Sequence, residues 1–375
     1  MTHTAQPIAN KPLSRGLAEQ GLIDLSPDRL NSFAKEISAV GKKAMYELGN
    51  SQDENFLRKL KSSNLTCEAI GRTLIHFSFE PITFLLGAIF LSIHFNLEVT
   101  LAHNAGHGAF NLLRNKKGLE KFTSRSYKAK NMPASIEGWK HVHNTLHHIH
   151  CNIIGKDPDI GYELFRVSEL QGEAKRYHRF QIWIISLMWL PLVLITGLRT
   201  YEFKATKEGK EKTMSSLLFN QLTGTRYFFV NWLLFPVIAG VGFLSFAHAM
   251  KVLLGNLLAE ALRGVSYGTM FHMGHHSGNV KFYPENTEPA NKAEWYVQQI
   301  ETSHSVMMKS PLQYMFGGLD LQIEHHLFPN LPPNKLYEIQ PEVEEICARY
   351  GIHYSKASYF RSAIWCVRNY VKHSK

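Results

Sequence analysis

The sequence contains few cysteines, and no two of them form a CxxC pair. The four are Cys67, Cys151, Cys347 and Cys366, scattered over 375 residues. A disulfide framework needs a denser pattern, and a thiolate metal site needs closely spaced cysteines. The cysteine content therefore argues against both and is typical of a protein that works in a reducing compartment.

Other familiar signatures are missing as well. The HExxH motif of zinc peptidases is absent, since Glu324 precedes a histidine pair at a different spacing. The sequence shows no internal repeat, no low-complexity tract and no nucleic-acid-binding signature. The formal charge of +10 therefore indicates an anionic membrane surface or an anionic substrate, and no nucleic-acid partner is expected.

Histidine, in contrast, is abundant, with 20 residues that largely fall into short clusters. The first cluster holds His103 and His107, the second His143, His147 and His148, the third Gln322, His325 and His326, and a further run holds His272, His275 and His276. Many histidines with few cysteines predict a metal that is held by nitrogen ligands.

The spacing within the clusters suggests how they bind metal. Residues four positions apart share one face of a helix, so His103 and His107 can bind one ion. The same spacing predicts that His143 and His147 bind one ion. Neighbouring helical residues point about 100° apart, so the adjacent pairs of the second and third clusters suit two metals side by side. Neutral imidazole suits iron, zinc and copper, which leaves the metal open.

Four apolar stretches indicate membrane crossing, because each is long enough for a bilayer. They cover residues 74–97, 181–198, 228–250 and 252–271. The fourth contains Glu260 and Arg263, and ionisable residues at membrane depth usually face a bundle interior. A lysine-rich loop after the second stretch is expected in the cytoplasm. Whether 181–198 spans the membrane or lies in its interface stays open.

The region before the first stretch has a different character. Residues 1–30 are expected to be loose, and residues 30–72 have the spacing of an amphipathic helix. Leu30, Phe33, Ile37 and Val40 recur at helical intervals among many charges. These four residues are therefore predicted to lie on the buried face of a helix.

The histidine clusters resemble those of the membrane fatty acid desaturases, which read HxxxH, HxxxHH and QxxHH. WKHVHNTLHHIHCNIIGKDPDIGY at 139–162 and FGGLDLQIEHHLFPNLPPNKLYEI at 316–339 look like the second and third box regions of bacterial acyl-CoA desaturases, and EWYVQQIETS at 294–303 also matches. The resemblance runs from about residue 67 to 356. Asp320 departs from it, since Asn is common at this position, and the HPGG haem motif of cytochrome b5 is missing.

The resemblance implies an all-α, integral membrane helical bundle of about four spans. A cytoplasmic helical cap would carry a histidine-ligated di-iron site. It divides the chain into an N-terminal cytoplasmic segment (1–66), partly disordered and then an amphipathic helix, the desaturase domain (67–356) and a C-terminal tail (357–375).

The resemblance also implies a set of metal ligands. Carried over position by position, these are His103, His107, His143, His147, His148, His325 and His326, with Gln322 standing where animal relatives have histidine. One more ligand is expected after the last span, where His275 matches best and His276 and His272 are alternates. Asp157, Asp159 and Glu324 are either surface or structural charges, or acceptors for the N–H groups of ligand imidazoles.

The implied activity is fatty acyl desaturation, the O₂-dependent insertion of a double bond into a long-chain acyl group. The acyl group would belong to acyl-CoA or to a phospholipid among the membrane lipids, and two iron ions would serve as cofactor. Electrons would come from a separate NAD(P)H-dependent reductase with a ferredoxin or cytochrome b5 type carrier. The expected location is the bacterial inner membrane, with several spans and a cytoplasmic active site.

Two alternatives remain at this stage. A membrane di-iron hydroxylase or monooxygenase of a lipid or alkane would share the histidine-rich pattern but would make an alcohol. A membrane metal-binding carrier or receptor would hold a zinc-type histidine site. Carriers line their spans with ligands, whereas the clusters here lie at the ends of apolar stretches and in polar blocks.

Overall fold

The computed structural model describes residues 15–127, 131–160, 164–210, 212–309 and 312–375. The α-helices are α1 (Pro27–Tyr46), α2 (Ser51–Phe77), α3 (Pro81–His107), α4 (Ile136–Trp139), α5 (His148–His150), α6 (Gln181–Trp189), α7 (Leu192–Lys207), α8 (Met214–Gly224), α9 (Arg226–Phe228), α10 (Phe235–Gly242), α11 (Phe246–His276), α12 (Lys292–Glu301), α13 (Leu312–Phe316), α14 (Gln322–Leu327), α15 (Pro333–Tyr350) and α16 (Tyr359–Lys372). Two π-helices cover Lys140–His147 and Phe229–Leu234, and 3₁₀ turns cover Asn111–Leu113, Glu169–Gln171 and Arg176–Phe180. The mostly helical architecture confirms the predicted class.

Two short strands depart from the all-α prediction. Strands β1 (His304–Met307) and β2 (Ser355–Ser358) pair in parallel, with His304 opposite Ser355. The Nδ1 atom of His304 lies 2.7 Å from the Ser355 hydroxyl, and its Nε2 atom lies 2.8 Å from that of Ser362. Each strand has only four residues, too few to show a clear alternating pattern in the sequence.

Helices α2 and α3 form a tight antiparallel hairpin. The side chain of Asn50 caps α2 by accepting from two backbone N–H groups, and Glu80 caps α3 in the same way, with Pro81 at the first helical position. A Cβ atom on Gly71 would lie only 2.6 Å from the backbone nitrogen of Leu91, so the two helices approach as closely as glycine allows.

Helices α3 and α11 bring the first histidine cluster and the fourth together. The large apolar side chains near the start of α3 are exposed, for example Ile82 at 72%. Its last turns, from Phe95 to His107, are buried. Helix α11 shows the same gradient, since Phe246 is exposed and the turn ending at His276 is buried. The histidine-bearing ends of both helices therefore lie inside the protein.

The apolar stretches are less regular than four separate spans. Among the described residues, α3 is the one helix long and apolar enough to cross a membrane. Up to three spans result if each of two bent pairs counts as one, with a bend of 88° between Arg176–Trp189 and Leu192–Lys207 and of 63° between Met214–Gly224 and Arg226–Gly242. The second predicted stretch, 181–198, is thus broken at Leu190 and Pro191, as expected for a proline inside an apolar run.

The last two predicted stretches are also divided differently. Helix α10 ends at Gly242, and α11 then runs without a break through 31 residues. Within it, Arg263 forms an ion pair with Glu260 and donates a hydrogen bond of 2.6 Å to the carbonyl of Asn131. Both charges are buried, as the sequence predicted for a pair facing the bundle interior.

Residues 15–46 and the C-terminal segment both pack against the rest of the described chain. Residues 1–14 of the expected loose segment lie outside the described residues. In the part that follows, the backbone of Arg15 forms an isolated β-bridge with that of Thr287, and the backbone amide of Leu17 donates a hydrogen bond of 2.8 Å to the carboxylate of Glu294. The periodic residues Leu30, Phe33, Ile37 and Val40 are buried in one core cluster with α12, α14 and α15. The predicted tail, 357–375, contains α16, which packs against α11.

Candidate metal centre

Two buried groups of side chains converge at the ends of α3 and α11. The group named here the first ligand group consists of His103, His107, His143 and His325. The second ligand group consists of His147, Cys151, His275 and His326. Within each group, one nitrogen or sulfur atom per residue lies within 4.8 Å of all the others.

The first ligand group joins three distant parts of the chain. His103 and His107 lie on the last turn of α3, with their ring centroids 4.8 Å apart, as their spacing predicted. The π-helix brings the Nε2 atom of His143 to 2.9 Å from that of His103. His325 on α14 completes the group, with its ring centroid 4.6 Å from that of His103.

The second ligand group is built in the same way from other neighbours. The ring centroid of His147 lies 4.7 Å from that of His275 and 5.0 Å from that of His326. The adjacent residues His325 and His326 therefore enter different groups, as predicted for a pair that serves two metals.

The predicted binding of one ion by His143 and His147 stays a prediction, since the structure offers two arrangements for this pair. The two rings do stack, with centroids 5.3 Å apart, but His143 belongs to the first ligand group and His147 to the second. The two also form a smaller set with Asp159. Lys140–His147 is a π-helix, a conformation that occurs mostly as short bulges inside α-helices and frequently at functional sites, so the α-helical spacing assumed for this pair does not apply.

His148 lies between the two ligand groups. Its ring centroid is 4.7 Å from that of His107 and 4.3 Å from that of His326. Its Nε2 atom lies 3.2 Å from that of His143. This position allows His148 to serve either group.

The ring nitrogens show that the groups fit metal ions. Among the histidines in and between the two ligand groups, six buried ring nitrogens have no hydrogen-bond partner in the described chain: His103 Nδ1, His107 Nε2, His147 Nε2, His148 Nδ1, His325 Nε2 and His326 Nε2. Leaving so many buried polar atoms unpaired is costly unless a ligand satisfies them. Ligand nitrogens about 2 Å from one ion lie roughly 3–4 Å apart, so little contraction is needed.

Most of these imidazoles are neutral, which metal binding requires. Burial, with repulsion from neighbouring histidines, holds the pKa of His148, His325 and His326 well below the usual value. His147 differs. Burial lowers its pKa, but the carboxylates of Asp157 and Asp159 outweigh burial and raise it to about 9.

The carboxylates that the sequence singled out near the second cluster contact the outer nitrogen of His147. Its Nδ1 atom lies 3.1 Å from an oxygen of Asp157 and 3.4 Å from an oxygen of Asp159. Asp157 is held in turn by the backbone N–H groups of Asn152 and Asp159. An Nδ1–H donated to a carboxylate leaves the Nε2 lone pair of His147 directed at the metal position.

Of the two roles open for Glu324, its contacts fit a structural charge and not an acceptor for a ligand imidazole. Its two carboxylate oxygens accept hydrogen bonds from Tyr354, at 2.7 Å, and from Ser305, at 3.4 Å, rather than from a ligand imidazole. Burial raises the pKa of Glu324 to about 8. Neighbouring side chains of the helix α14 point in different directions. The carboxylate of Glu324 therefore lies away from the metal centre, although Glu324 directly precedes His325 in the sequence.

His275 is the histidine of the fourth cluster that reaches the centre. Its Nε2 atom lies 2.6 Å from the side-chain amide of Gln322, whose Oε1 atom has no partner within the described chain. Its Nδ1 atom faces Cys151 at 3.5 Å and the carbonyl of Thr302 at 3.4 Å. The outer nitrogen of His326 likewise lies 2.9 Å from the amide of Gln299.

Cys151 is the residue of this region that sequence reasoning missed. Burial raises the pKa of its thiol well above the usual value, which keeps it protonated. It follows His148 by three residues, and no CxxC spacing marks it. The sequence argument against a thiolate site did not anticipate a cysteine in one of the metal-capable groups.

The alternates His272 and His276 lie on the other side of α11. Each places its Nδ1 atom 2.8 Å from the hydroxyl of Tyr370 on α16. Neither belongs to a ligand group. The structure therefore brings His275 to the centre and places the two alternates outside it.

Comparison with known proteins identifies the family of this chain. Residues 79–358 match the family model described as fatty acid desaturase. The chain belongs to the fatty acid desaturase family. This desaturase is accordingly an oxidoreductase that acts on fatty acyl chains.

Relatives of this desaturase differ in substrate. An NADPH-dependent stearoyl-CoA 9-desaturase from Mycobacterium tuberculosis is 27% identical over 343 residues, which are 88% of this chain and 76% of that protein. An sn-1 linoleoyl-lipid 6-desaturase from Synechocystis is 26% identical over 301 residues, which are 76% of this chain and 80% of that protein. A Delta(8)-fatty-acid desaturase 2 from Arabidopsis thaliana is 26% identical over 248 residues, 62% of this chain and 52% of that protein.

Proposed function

We propose that this desaturase inserts a double bond into a long-chain acyl group at a site with two iron ions. The proposed ligands are His103, His107, His143, His147, His148, His275, His325 and His326, with Gln322 binding through its amide oxygen or through water. The pairing of two nitrogen-rich ligand groups, with six unpaired ring nitrogens, supports two metals. Bound iron would supply the oxidising power, drawn from O₂, that removes hydrogen from an unactivated CH₂ group.

The observation that carries this proposal is an apolar cavity of about 110 Å³ that reaches the first ligand group. Its wall includes His103 and His143, and Val99, Leu192 and Phe271 add apolar surface. These residues come from α3, α7, α11 and the π-helix. A methylene chain held there would lie against the metal-binding histidines and away from water, which fixes the carbon atoms that react.

A second, more polar cavity lies beside the first. It has a volume of about 640 Å³, and it shares Met132 and Ala134 with the inner cavity. Lys121, Lys204 and Arg226 line it. We propose that this second cavity, called the vestibule, holds the phosphate-bearing end of the substrate, whether acyl-CoA or phospholipid. The acyl chain would pass Met132 and Ala134, which line both cavities, and enter the first cavity.

The outer surface supports placement in a membrane. Large apolar side chains are exposed on the outer parts of α3, α10 and α11, including Ile82, Val241 and Phe246. Since all four histidine clusters meet at one centre, they must lie on one side of the bilayer. We propose that this is the cytoplasmic side of a bacterial inner membrane, where a separate reductase with a ferredoxin or cytochrome b5 type carrier can deliver electrons.

Expression in a host that lacks its own desaturase tests this function. Fatty acids extracted from the cells should contain a new double bond, which gas chromatography with mass spectrometry locates in the chain. A hydroxylated product instead of an alkene would show that the centre oxygenates the chain, and the proposal would fail.

A further inference from the structure

The C-terminal helix α16 has an exposed apolar stripe. Phe360, Ile364, Val367 and Val371 are exposed at 79%, 50%, 47% and 51%. They stand four, three and four positions apart, which places them on one face of the helix. The opposite side, with Ser362, Cys366, Asn369 and Tyr370, is buried against the protein. The stripe is therefore an exposed apolar surface, separate from the face of α16 that packs against the protein.

Basic residues border this stripe. Arg361, Arg368 and Lys372 are exposed and follow stripe residues by one position, so they lie along one edge of it. The helix contains no acidic residue. An exposed apolar face with a basic edge is the pattern of a helix that lies in the plane of a membrane interface.

Helix α6 extends the same surface. Trp183, Leu187 and Leu190 are exposed at 70%, 67% and 45%. A cavity of about 130 Å³ between the helices is lined by Ser186 of α6 and Val367 of α16. Val367 of the stripe therefore lies next to α6. Lys175, Arg176 and Arg179, all exposed, precede α6 and add positive charge.

We propose that α6 and α16 together form an in-plane anchor that lies in the head-group region of an anionic phospholipid leaflet. Two features of this surface favour a phospholipid leaflet as what it contacts. The surface joins apolar side chains with positive charge, which suits acyl chains below and anionic head groups above. Moreover, α6 belongs to the apolar bent pair that continues into α7, so a bilayer that receives the pair also reaches this surface. The inference rests on the membrane placement under Proposed function.

Spin labels on the full chain in lipid nanodiscs test the anchor. One label replaces Val367 on the stripe (Val367→Cys), and a control label replaces exposed Lys356 on β2 (Lys356→Cys). A third, Ile89→Cys, reports on the exposed side of α3. All are made in a Cys67→Ser background, because Cys67 is partly exposed and the other cysteines are buried. Collision with oxygen marks lipid, and collision with a water-soluble nickel chelate marks water.

The expected result is a lipid signal at Val367 and Ile89 and a water signal at Lys356. In discs of phosphatidylcholine with phosphatidylglycerol, Val367 should lie deeper than in phosphatidylcholine alone. Replacing Arg361, Arg368 and Lys372 together by glutamine should reduce that difference, since Lys175, Arg176 and Arg179 remain. A contact made by apolar side chains alone would not depend on the charge of the lipids in this way.

Other results would overturn the anchor. A water signal at Val367 with a lipid signal at Ile89 would refute it and leave the membrane placement intact, whereas water signals at both would refute both. Shielding of Val367 from both reagents, with dipolar coupling between labels on two chains, would assign the surface to a second copy. Shielding that needs an added acidic electron carrier would assign it to that protein instead.

Discussion

The Nδ1 atom of His147 lies 3.1 Å from a carboxylate oxygen of Asp157, and both side chains are buried. This contact orients the ring so that Nε2, which has no partner in the described chain, faces the second ligand group. Asp157 itself is fixed by the backbone amide of Asn152 at 2.8 Å. The metal position is thus supported by a residue that does not touch it.

The first prediction follows from this contact. Asp157→Asn should lower iron affinity roughly 10–100-fold, because the amide removes the charge that favours the Nδ1–H form of His147. Iron retained after dialysis against a chelator measures the effect. Glu324→Gln is the control, since that carboxylate is also buried but bonds to Tyr354 and Ser305. Equal iron loss in both variants would mean that Asp157 has no special role.

The second prediction separates the histidines of α11. His275→Ala should lose at least about tenfold in iron retention and most desaturation, because the Nε2 atom of His275 faces Gln322 at the centre. His272→Ala should keep most of both, since His272 contacts Tyr370 instead. The reverse pattern would assign the ligand to the wrong side of the helix.

Much of the centre could be predicted from sequence because its parts are local. His103 and His107 follow from helical spacing, and the split of His325 from His326 follows from the angle between neighbours. The choice of His275 over His272 came from the family resemblance, since spacing alone pairs His272 with His276. Contacts across long sequence separation, such as Gln322 with His275, have no short-range signal.

The fold was less predictable where tertiary packing decides. The sequence shows the proline at which the second apolar stretch breaks, Pro191. It does not show that the two resulting helices are bent by 88° relative to each other. The C-terminal segment contains a packed helix, whose Tyr370 hydroxyl forms hydrogen bonds with His272 and His276, almost 100 positions earlier in the chain. The parallel pair of β1 and β2 depends on a neighbour 51 positions away, which no local pattern shows.

The third prediction concerns the vestibule. Lys204→Gln should raise KM for the acyl substrate roughly 2–5-fold, the effect of losing one partly exposed ion pair, with little change in kcat. Lys210→Gln is a matched control, because both lysines lie near Glu208 but only Lys204 lines the cavity. An equal KM change in the control would indicate a general charge effect.

The fourth prediction concerns the inner cavity. Thr196→Trp should shift the preference towards shorter acyl chains by roughly tenfold or more for each methylene that no longer fits. Thr196 lines this cavity on α7, whereas Thr206 on the same helix is exposed. Competition between saturated substrates of different length measures the shift. If Thr206→Trp changes the preference as much, the cavity is not the acyl site.

The most direct test of the account is metal analysis of the full chain purified under gentle conditions. The two ligand groups predict about two metal ions per chain; imidazole suits iron, zinc and copper alike, and iron is the metal that membership of the desaturase family favours. His326→Ala should lose iron together with desaturation, because it removes one of the three imidazoles of the second ligand group. One zinc and no iron in the wild-type chain, or full iron and activity in His326→Ala, would contradict the proposed centre.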